Sequence, residues 1–333
     1  MDIKEIKKEL GEHWSGYQKT LTEALSNDNV LLTQINTYLI TNAGKQLRPI
    51  LSLLTALACG KINKTNYYCA AVSEMIHTAT LLHDDVADNG DMRRGVPTVK
   101  AVFNQAASVL TGDYWLARAL SILTDKCEKE VLTCFAKALQ ELSEGEIIQM
   151  EKAESLSTTE QDYYNIITRK TASLFMATTK SAALCVSAPK DYVNAVTKYA
   201  YHLGLAFQIR DDIFDYSPSM NTGKMAGLDL KERKITLPLL GAMLKCPNKS
   251  QFIIELISKI PNSPIKGGEI CENEKSIINE VNEFVYAHEG LKYAQTSLEE
   301  QIQNAVLALS ILPDTPAKQQ LIQLAQYLGT RNS

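Results

Sequence analysis

The chain has 333 residues, 45% hydrophobic and 22% charged, with a formal net charge of −4. That balance fits a chain able to bury a sizeable core and excludes a disordered one. No basic excess exists to neutralise a polynucleotide backbone, so no nucleic-acid partner is expected and any phosphate binding has to be local.

No apolar run reaches the roughly 18 residues of a membrane span. The first residues alternate Lys and Glu around Ile and Leu, which is not the pattern of a secretory leader. The seven cysteines are scattered and carry no CxxC spacing. They read as reduced core residues of a cytoplasmic protein, neither zinc ligands nor a disulfide framework.

Apolar residues recur at three and four spacing almost throughout, which predicts an all-α chain. The segment Gly44-Lys45-Gln46-Leu47-Arg48-Pro49 opens a helix over Leu47 to Cys59, with Pro49 in its first turn and Gly60 as its stop. Lys45 and Arg48 stand at the entrance of that helix, where free N–H groups favour anions. A longer helix over Asn66 to Asp88 follows and ends at Asn89-Gly90; its last turn carries Asp84-Asp85-Val86-Ala87-Asp88. Arg93-Arg94-Gly95 comes directly after. Helices over Ala106 to Leu123, Lys129 to Lys152 and Glu160 to Val186 are expected next, with Lys170-Thr171 in the middle of the third. The helix over Tyr192 to Tyr216 ends on Asp211-Asp212-Ile213-Phe214-Asp215. Residues 220–229, glycine-rich and charged, include Lys224 and read as a mobile lid. Helices resume to Tyr327. The Pro and Gly clusters on the way look like turns within one domain spanning residues 1–333, and no solenoid repeat is present.

The repeated DDxxD is the feature that carries chemistry. On a helix, residues four apart share a face one turn distant, so Asp84 pairs with Asp88 and Asp211 with Asp215. Each helix end then offers two carboxylates in an apolar context, beside helix carbonyls that are themselves negative. Such a pair needs a cation. Oxygen-only ligands with coordination positions to spare suit Mg²⁺ carrying a phosphate-bearing ligand. Basic residues at Lys45, Arg48, Arg93, Arg94, Lys170 and Lys224 could meet the remaining phosphate charge. A single DDxxD is often only a solvated helix end, His77 on an apolar face is more often a core histidine, and Lys170 could extend to solvent.

The ordered set GKQLRP, LLHDDVADNGDMRRG, Lys170-Thr171, FQIRDDIFDY, the Gly-Lys of the lid and KITLPLL resembles the trans-isoprenyl diphosphate synthases, of the bacterial octaprenyl or heptaprenyl type, over nearly the whole length. The resemblance implies a single large helical bundle with a central cavity. It also implies head-to-tail condensation of isopentenyl diphosphate with an allylic diphosphate, farnesyl diphosphate as primer, and a homodimer. By the same resemblance Asp84, Asp85, Asp88, Asp211 and Asp215 bind Mg²⁺, three ions with substrate bound. Arg93, Lys170 and Lys224 support the allylic diphosphate; Lys45, Arg48, His77 and Arg94 hold isopentenyl diphosphate; Thr171 and Gln208 lie near the reacting carbons. A transient membrane contact for product release is left open.

Product length should depend on side chains below the first aspartate cluster. One turn down lie the small residues Ala79 and Thr80, then Met75 and Ile76, with Phe135 on a later helix as a candidate floor. The expected product lies between hexaprenyl and octaprenyl. Other readings are the catalytic subunit of a heteromeric heptaprenyl diphosphate synthase, a short-chain (geranylgeranyl or farnesyl) synthase, or a terpene cyclase, against which the second DDxxD and Lys45/Arg48 speak. Arg210 departs from the apolar residue common before the second cluster in relatives. It could pair with Asp211 or Asp215, or face another subunit.

Overall fold

Many breaks in the apolar periodicity carry a capping side chain, as at Asn29, Asn63, Asn104 and Thr159, and helices follow one another with short connections. The computed structural model describes residues 2–93, 95–216, 227–261 and 271–330. In chain order these hold α1 (Ile3–Leu25), α2 (Val30–Thr41), α3 (Leu47–Cys59) and α4 (Lys64–Ala87), then a hairpin of β1 (Met92–Arg93) and β2 (Val96–Pro97). After it come α5 (Val99–Val102), α6 (Gln105–Lys126), α7 (Lys129–Ser155), α8 (Glu160–Ile167), a π-helical turn (Thr168–Ala172), α9 (Ser173–Cys185) and α10 (Lys190–Asp215). The remainder is α11 (Leu228–Lys231), α12 (Leu237–Lys245), α13 (Pro247–Ser258), α14 (Glu272–Ala287), α15 (Gly290–Ala308) and α16 (Pro316–Thr330).

The all-α expectation holds apart from the hairpin, whose two-residue strands pair antiparallel with Arg93 opposite Val96. Strands that short leave no alternation to read. Helix α4 begins two residues earlier than its apolar pattern suggests, because Asn63 and Asn66 cap it reciprocally. The Asn63 side chain accepts from the Thr65 N–H at 2.9 Å, and the Asn66 side chain accepts from the Asn63 N–H at 3.0 Å. The expected helix over Glu160 to Val186 is interrupted by the π turn that carries Lys170 and Thr171.

Two apolar clusters form most of the core. The larger joins α1, α3, α4, α6, α7, α9 and α16 around Leu51, Met75, Trp115, Phe135 and Phe175. The second joins α12, α13, α14 and α15 around Leu237, Ile257, Val281 and Leu298. Helix α10 belongs to both, giving Val196 and Tyr199 to one and Ile209 and Ile213 to the other. Burying each large aliphatic or aromatic side chain contributes about 1.5–3 kcal/mol. Ala70, Ala71, Val72, Met75 and Ala79 are fully enclosed, so α4 is a central post of the larger cluster. No helix among the described residues is long and apolar enough to cross a membrane. The cysteines are less uniformly buried than expected: Cys59 and Cys69 are enclosed, Cys271 is exposed and the other four are half-buried.

Two glycines explain how the π turn is held. A Cβ on Gly204 of α10 would stand 2.5 Å from the Ala172 Cα, and one on Gly145 of α7 would stand 2.9 Å from the Lys170 backbone nitrogen. The widened backbone is thus gripped from both sides at distances only glycine allows. Gly204→Ala has to displace backbone, so it should lower stability by about 1–3 kcal/mol in urea-unfolding experiments. A variant as stable as the parent would show that the turn is not clamped in this way.

Candidate active site

The last turn of α4 divides its three aspartates by direction. Asp85 is buried, and its Oδ1 accepts from Arg93 Nε at 2.7 Å, which ties the hairpin to the helix. Asp84, half-buried, and Asp88, exposed at the rim, share the other side. Lys170 reaches this side too: its ammonium donates to Glu146 of α7 at 2.8 Å and to Gln149 at 3.3 Å. It points into the cleft and does not run out to solvent.

All three aspartates of this cluster are held above their ordinary range. Asp84 is pushed up to about 6, first by burial and then by the Glu146 charge, with Lys170 pulling the other way. Asp88 is raised by desolvation and by Glu232, against Lys234 and Lys170. Asp85 is raised by burial, partly offset by Arg93. The site is crowded with negative charge that its own lysines only partly balance.

The second cluster ends α10. Asp212, the middle aspartate, is buried and receives Tyr163 Oη at 2.6 Å on one oxygen and Gln208 Nε2 at 2.9 Å on the other. Thr171 Oγ1 donates to Gln208 Oε1 at 2.8 Å, so the π turn, α8 and α10 meet in one hydrogen-bonded chain. Burial raises the Asp212 carboxyl, Asp229 and Asp211 add to the rise, and the Tyr163 and Gln208 donors oppose it. Asp211 is half-buried. The Asp215 carboxylate accepts from the Leu228 and Asp229 N–H groups, both at 3.1 Å, and its carbonyl accepts from Gly227 at 3.0 Å. Asp215 therefore caps the start of α11.

Lys234 lies between the two clusters. Burial works to lower its pKa, but Glu232, Asp229 and Asp88 together hold it above the ordinary value. A cavity of about 70 Å³ is lined by Lys170, Tyr163, Gln208, Asp212, Asp229 and Lys234. Lys170 acts on Asp84, and Lys170 and Lys234 both act on Asp88, so the first aspartate cluster stands within electrostatic reach of the lysines that line this cavity with Asp212.

The other sequence-derived positions are placed as follows. Lys45 is exposed, with its ammonium 3.4 Å from Tyr327 Oη. Arg48 lies over the Phe175 ring at 4.8 Å, and that ring packs 5.8 Å from Phe207, the neighbour of Gln208. His77 is half-buried on α4. Arg94 and Lys224 lie outside the described residues, as does most of the expected lid. Met75, Ile76, Ala79 and Phe135 are buried in the same apolar cluster, and Thr80 donates to the His77 carbonyl at 2.8 Å. None of these five lines the cavity beside Lys170. Arg210 turns toward its own chain, lying over Phe214 at 4.7 Å and donating to Gln295 of α15 at 3.3 Å.

Sequence reasoning missed Glu146, Gln149, Tyr163, Asp229 and Lys234 as parts of the cleft. Lys234 opens the KITLPLL motif and could have been noticed as a lysine leading a buried run. Glu146 and Gln149 lie at helical spacing from Leu142 and Ala153, a mixed face that periodicity leaves ambiguous. Tyr163 carried no signal.

Residues 29–272 match the model of the family described as Polyprenyl synthetase. The chain belongs to the polyprenyl synthetase family. It is 35% identical to the octaprenyl diphosphate synthase of Escherichia coli, with all of both chains covered. A decaprenyl diphosphate synthase of Rhodobacter capsulatus superposes at a TM-score of 0.88 with 33% identity, again over the whole of both chains. A polyprenyl synthase of Caulobacter crescentus, solved with calcium and isoprenyl diphosphate, also superposes at 0.88, with 29% identity and coverage of 100% of this chain and 98% of that one. The all-α bundle of these synthases is the fold found here.

The cleft suits a divalent cation of hard character. Among the described residues no three His, Cys, Asp or Glu groups close into a ready cage. Carboxylate oxygens with coordination positions to spare are a donor set that fits Mg²⁺, which typically takes one or two carboxylates and completes its shell with phosphate and water. The raised carboxyls of Asp84 and Asp88 are the positive sign: their ionised form is unfavourable until a cation sits beside it.

The linkage has a definite direction. Asp84 rises from an ordinary 3.8 to about 6, so between those values the folded chain binds a proton that the unfolded chain has lost. Stability therefore falls as pH rises through that window and stays lower above it. Asp84→Asn should raise the metal-free unfolding temperature at pH 7.5 by about 2–5 °C, with the gain vanishing near pH 4. A lower midpoint at pH 7.5, measured by calorimetry, would contradict the crowding described. Tyr163→Phe should cost about 1–3 kcal/mol of stability, because the buried Asp212 loses a donor. A neutral result in urea unfolding would show that water replaces the phenol.

Proposed function

We propose that the protein is a trans-polyprenyl diphosphate synthase. It would condense isopentenyl diphosphate head to tail with an allylic diphosphate, farnesyl diphosphate as primer, and give a product between hexaprenyl and octaprenyl. In this reading it works as one domain over residues 1–333, as a homodimer, and with Mg²⁺, three ions when substrate is bound. The carrying observation is that Lys170 and Lys234, which line one cavity with Asp212, also act on the aspartates of the first cluster. Full-length likeness to octaprenyl and decaprenyl diphosphate synthases supports the substrate class. Exposed apolar side chains, Val30 at 71% on α2 and Leu110 at 66% on α6, are available to a second copy as partner.

The residues fit the steps required. When bound, Mg²⁺ held by Asp84, Asp88 and Asp211 would supply Lewis acidity to the allylic diphosphate. Lys170 and Arg93 place fixed positive charge beside the oxygens on which negative charge develops as the allylic C–O bond breaks. Gln208, oriented by Thr171 and Asp212, presents an amide dipole to the same cavity. Arg48 on Phe175, with Lys45 nearby at the head of α3, gives a second anion-binding position for isopentenyl diphosphate. The Phe175 and Phe207 rings, packed together with Arg48 over the first, would offer apolar surface that keeps water from the allylic cation. Loss of a proton then yields the trans-elongated product, with the released diphosphate as base.

Incubating the purified chain with farnesyl diphosphate, labelled isopentenyl diphosphate and Mg²⁺, then sizing the dephosphorylated products, tests the reading. Products of six to eight isoprene units are expected, and no incorporation by the chain alone would favour a heteromeric enzyme. Lys170→Ala should lower kcat about 10²–10³-fold, as removal of one preorganised charge-stabilising group does. Phe135→Ala should lengthen the product; an unchanged distribution removes Phe135 as the floor.

A further inference from the structure

The two cations at the head of α3 are joined by a single swivel residue. Arg48 rides on α3, whose Ile50, Leu51, Leu53 and Leu54 are fully enclosed, and it lies over the Phe175 ring at 4.8 Å. Lys45 stands on the other side of Gln46, exposed, with its ammonium 3.4 Å from Tyr327 Oη. Gln46 has φ 56° and ψ 48°, the left-handed conformation that a residue with a Cβ adopts only at a cost. Because packing fixes α3, the dihedrals of Gln46 set how Lys45 stands relative to Arg48.

Helix α1 grips that swivel. The Gln46 amide oxygen accepts from Lys7 Nζ at 3.0 Å, and the amide nitrogen donates to Tyr17 Oη at 3.1 Å. The Gln46 side chain makes no cap bond to α3, so both ends of its amide are committed to α1. The grip is itself well founded. Tyr17 is fully enclosed, its ring packs 4.9 Å from Trp14, and the Lys7 ammonium lies 4.7 Å over the same Trp14 ring. On a straight helix Lys7 and Tyr17 would stand about 15 Å apart along the axis. Gly11, with φ 51°, breaks α1 between them, and two long side chains then converge on one amide.

We propose that Lys7 and Tyr17 are positioning residues for isopentenyl diphosphate: by holding Gln46 in its left-handed turn they set Lys45 and Arg48 against one diphosphate. This rests on the synthase reading above and extends it by making α1 part of that substrate's site. Lys7 and Tyr17 act through Gln46 and not on the diphosphate itself. The grip exists before the substrate arrives, so it lowers the ordering cost of binding. Its loss removes binding that ground state and transition state share, which raises KM for isopentenyl diphosphate and leaves kcat at saturation in place.

The test uses the full chain with Mg²⁺ and saturating farnesyl diphosphate. Buried Glu74 of α4 acts on both Lys7 and Tyr17 through its charge, so Lys7→Met would disturb that balance too, and Tyr17→Phe is the cleaner cut. Tyr17→Phe should raise KM for isopentenyl diphosphate about 3–10-fold, the share of one hydrogen bond, with kcat and the KM for farnesyl diphosphate as in the parent. Gln46→Gly relieves the backbone cost but releases the grip. It should raise the same KM about tenfold, and adding Tyr17→Phe to it should change nothing further, as for two members of one contact. Tyr67→Phe breaks the 3.0 Å hydrogen bond between Tyr67 Oη and His13 Nδ1, another tie of α1 to α4, without touching Gln46; it should leave KM unchanged. Gln46 is half-buried on a turn, so Gln46→Gly carries the test even should Tyr17→Phe lower stability. A parent-like KM in Gln46→Gly, additive effects in the double variant, an equal rise in Tyr67→Phe, or a fall in kcat with KM unchanged would each overturn the proposal. Calorimetry with isopentenyl diphosphate separates the two possible failures. If Lys45→Ala and Arg48→Ala bind it as tightly as the parent, the placement of this substrate falls and the role of α1 with it. If both bind it weakly while Tyr17→Phe and Gln46→Gly bind as the parent does, the role of α1 alone falls.

Discussion

The constraint on which the site depends is the unfavourable ionisation of carboxylates brought together at two helix ends. Asp84, Asp88 and Asp212 are all held above their ordinary range, and in each case burial is the first cause. Helix C-termini add carbonyl dipoles of the same sign. Lys170 and Lys234 relieve part of this, and each is itself shared with a nearby acid, Glu146 in one case and Glu232 in the other. The result is a cleft with unspent demand for positive charge. A chain selected only for stability would replace Asp84 with a neutral residue, so its presence is an argument for a cation and an anionic ligand arriving together.

The scaffolding that maintains this demand is built from close backbone approach. Gly145 and Gly204 bring α7 and α10 against the π turn, which places Lys170 toward Glu146 and Thr171 toward Gln208. A regular α-helix over the same residues would rotate the two side chains relative to one another by the offset that one extra residue per turn introduces. The chain Thr171 to Gln208 to Asp212 to Tyr163 then fixes the second aspartate cluster through satisfied donors and acceptors, an arrangement worth more than its separate bonds in a low-dielectric interior.

What could be read from the sequence was what local patterns determine. The ends of α3 and α4 follow from Gly60 and Asn89-Gly90, and the pairing of residues four apart within each DDxxD follows from helix geometry. The π turn could not be read, because it is imposed by glycines 25 residues before and 34 residues after Lys170 in the chain. Nor could the different orientations within each cluster: Asp85 turns to Arg93 because a hairpin folds back beside it, and Asp215 turns to the amides of Leu228 and Asp229. Lys234 was visible in a motif, but its position between the clusters is tertiary. The cysteines, read as core residues, divide into two enclosed, four half-buried and one exposed, since apolar neighbours in sequence do not fix which helix face a residue occupies.

Helix α4 concentrates the two opposed requirements of the fold in one element. Its lower turns, from Cys69 to Ile76, are enclosed and mostly apolar, while its last turn carries charge that packing alone does not satisfy. The transition occurs over roughly one turn, or about 5.4 Å, at His77 and Thr80, where exposure begins and a side chain bonds back to the helix carbonyls. A reactive diphosphate head and a growing hydrocarbon tail need just such adjacent environments along one axis. Met75 and Phe135 are packed with almost no exposure, so on the reading proposed above a long tail would have to part α4 from the helices packed against it.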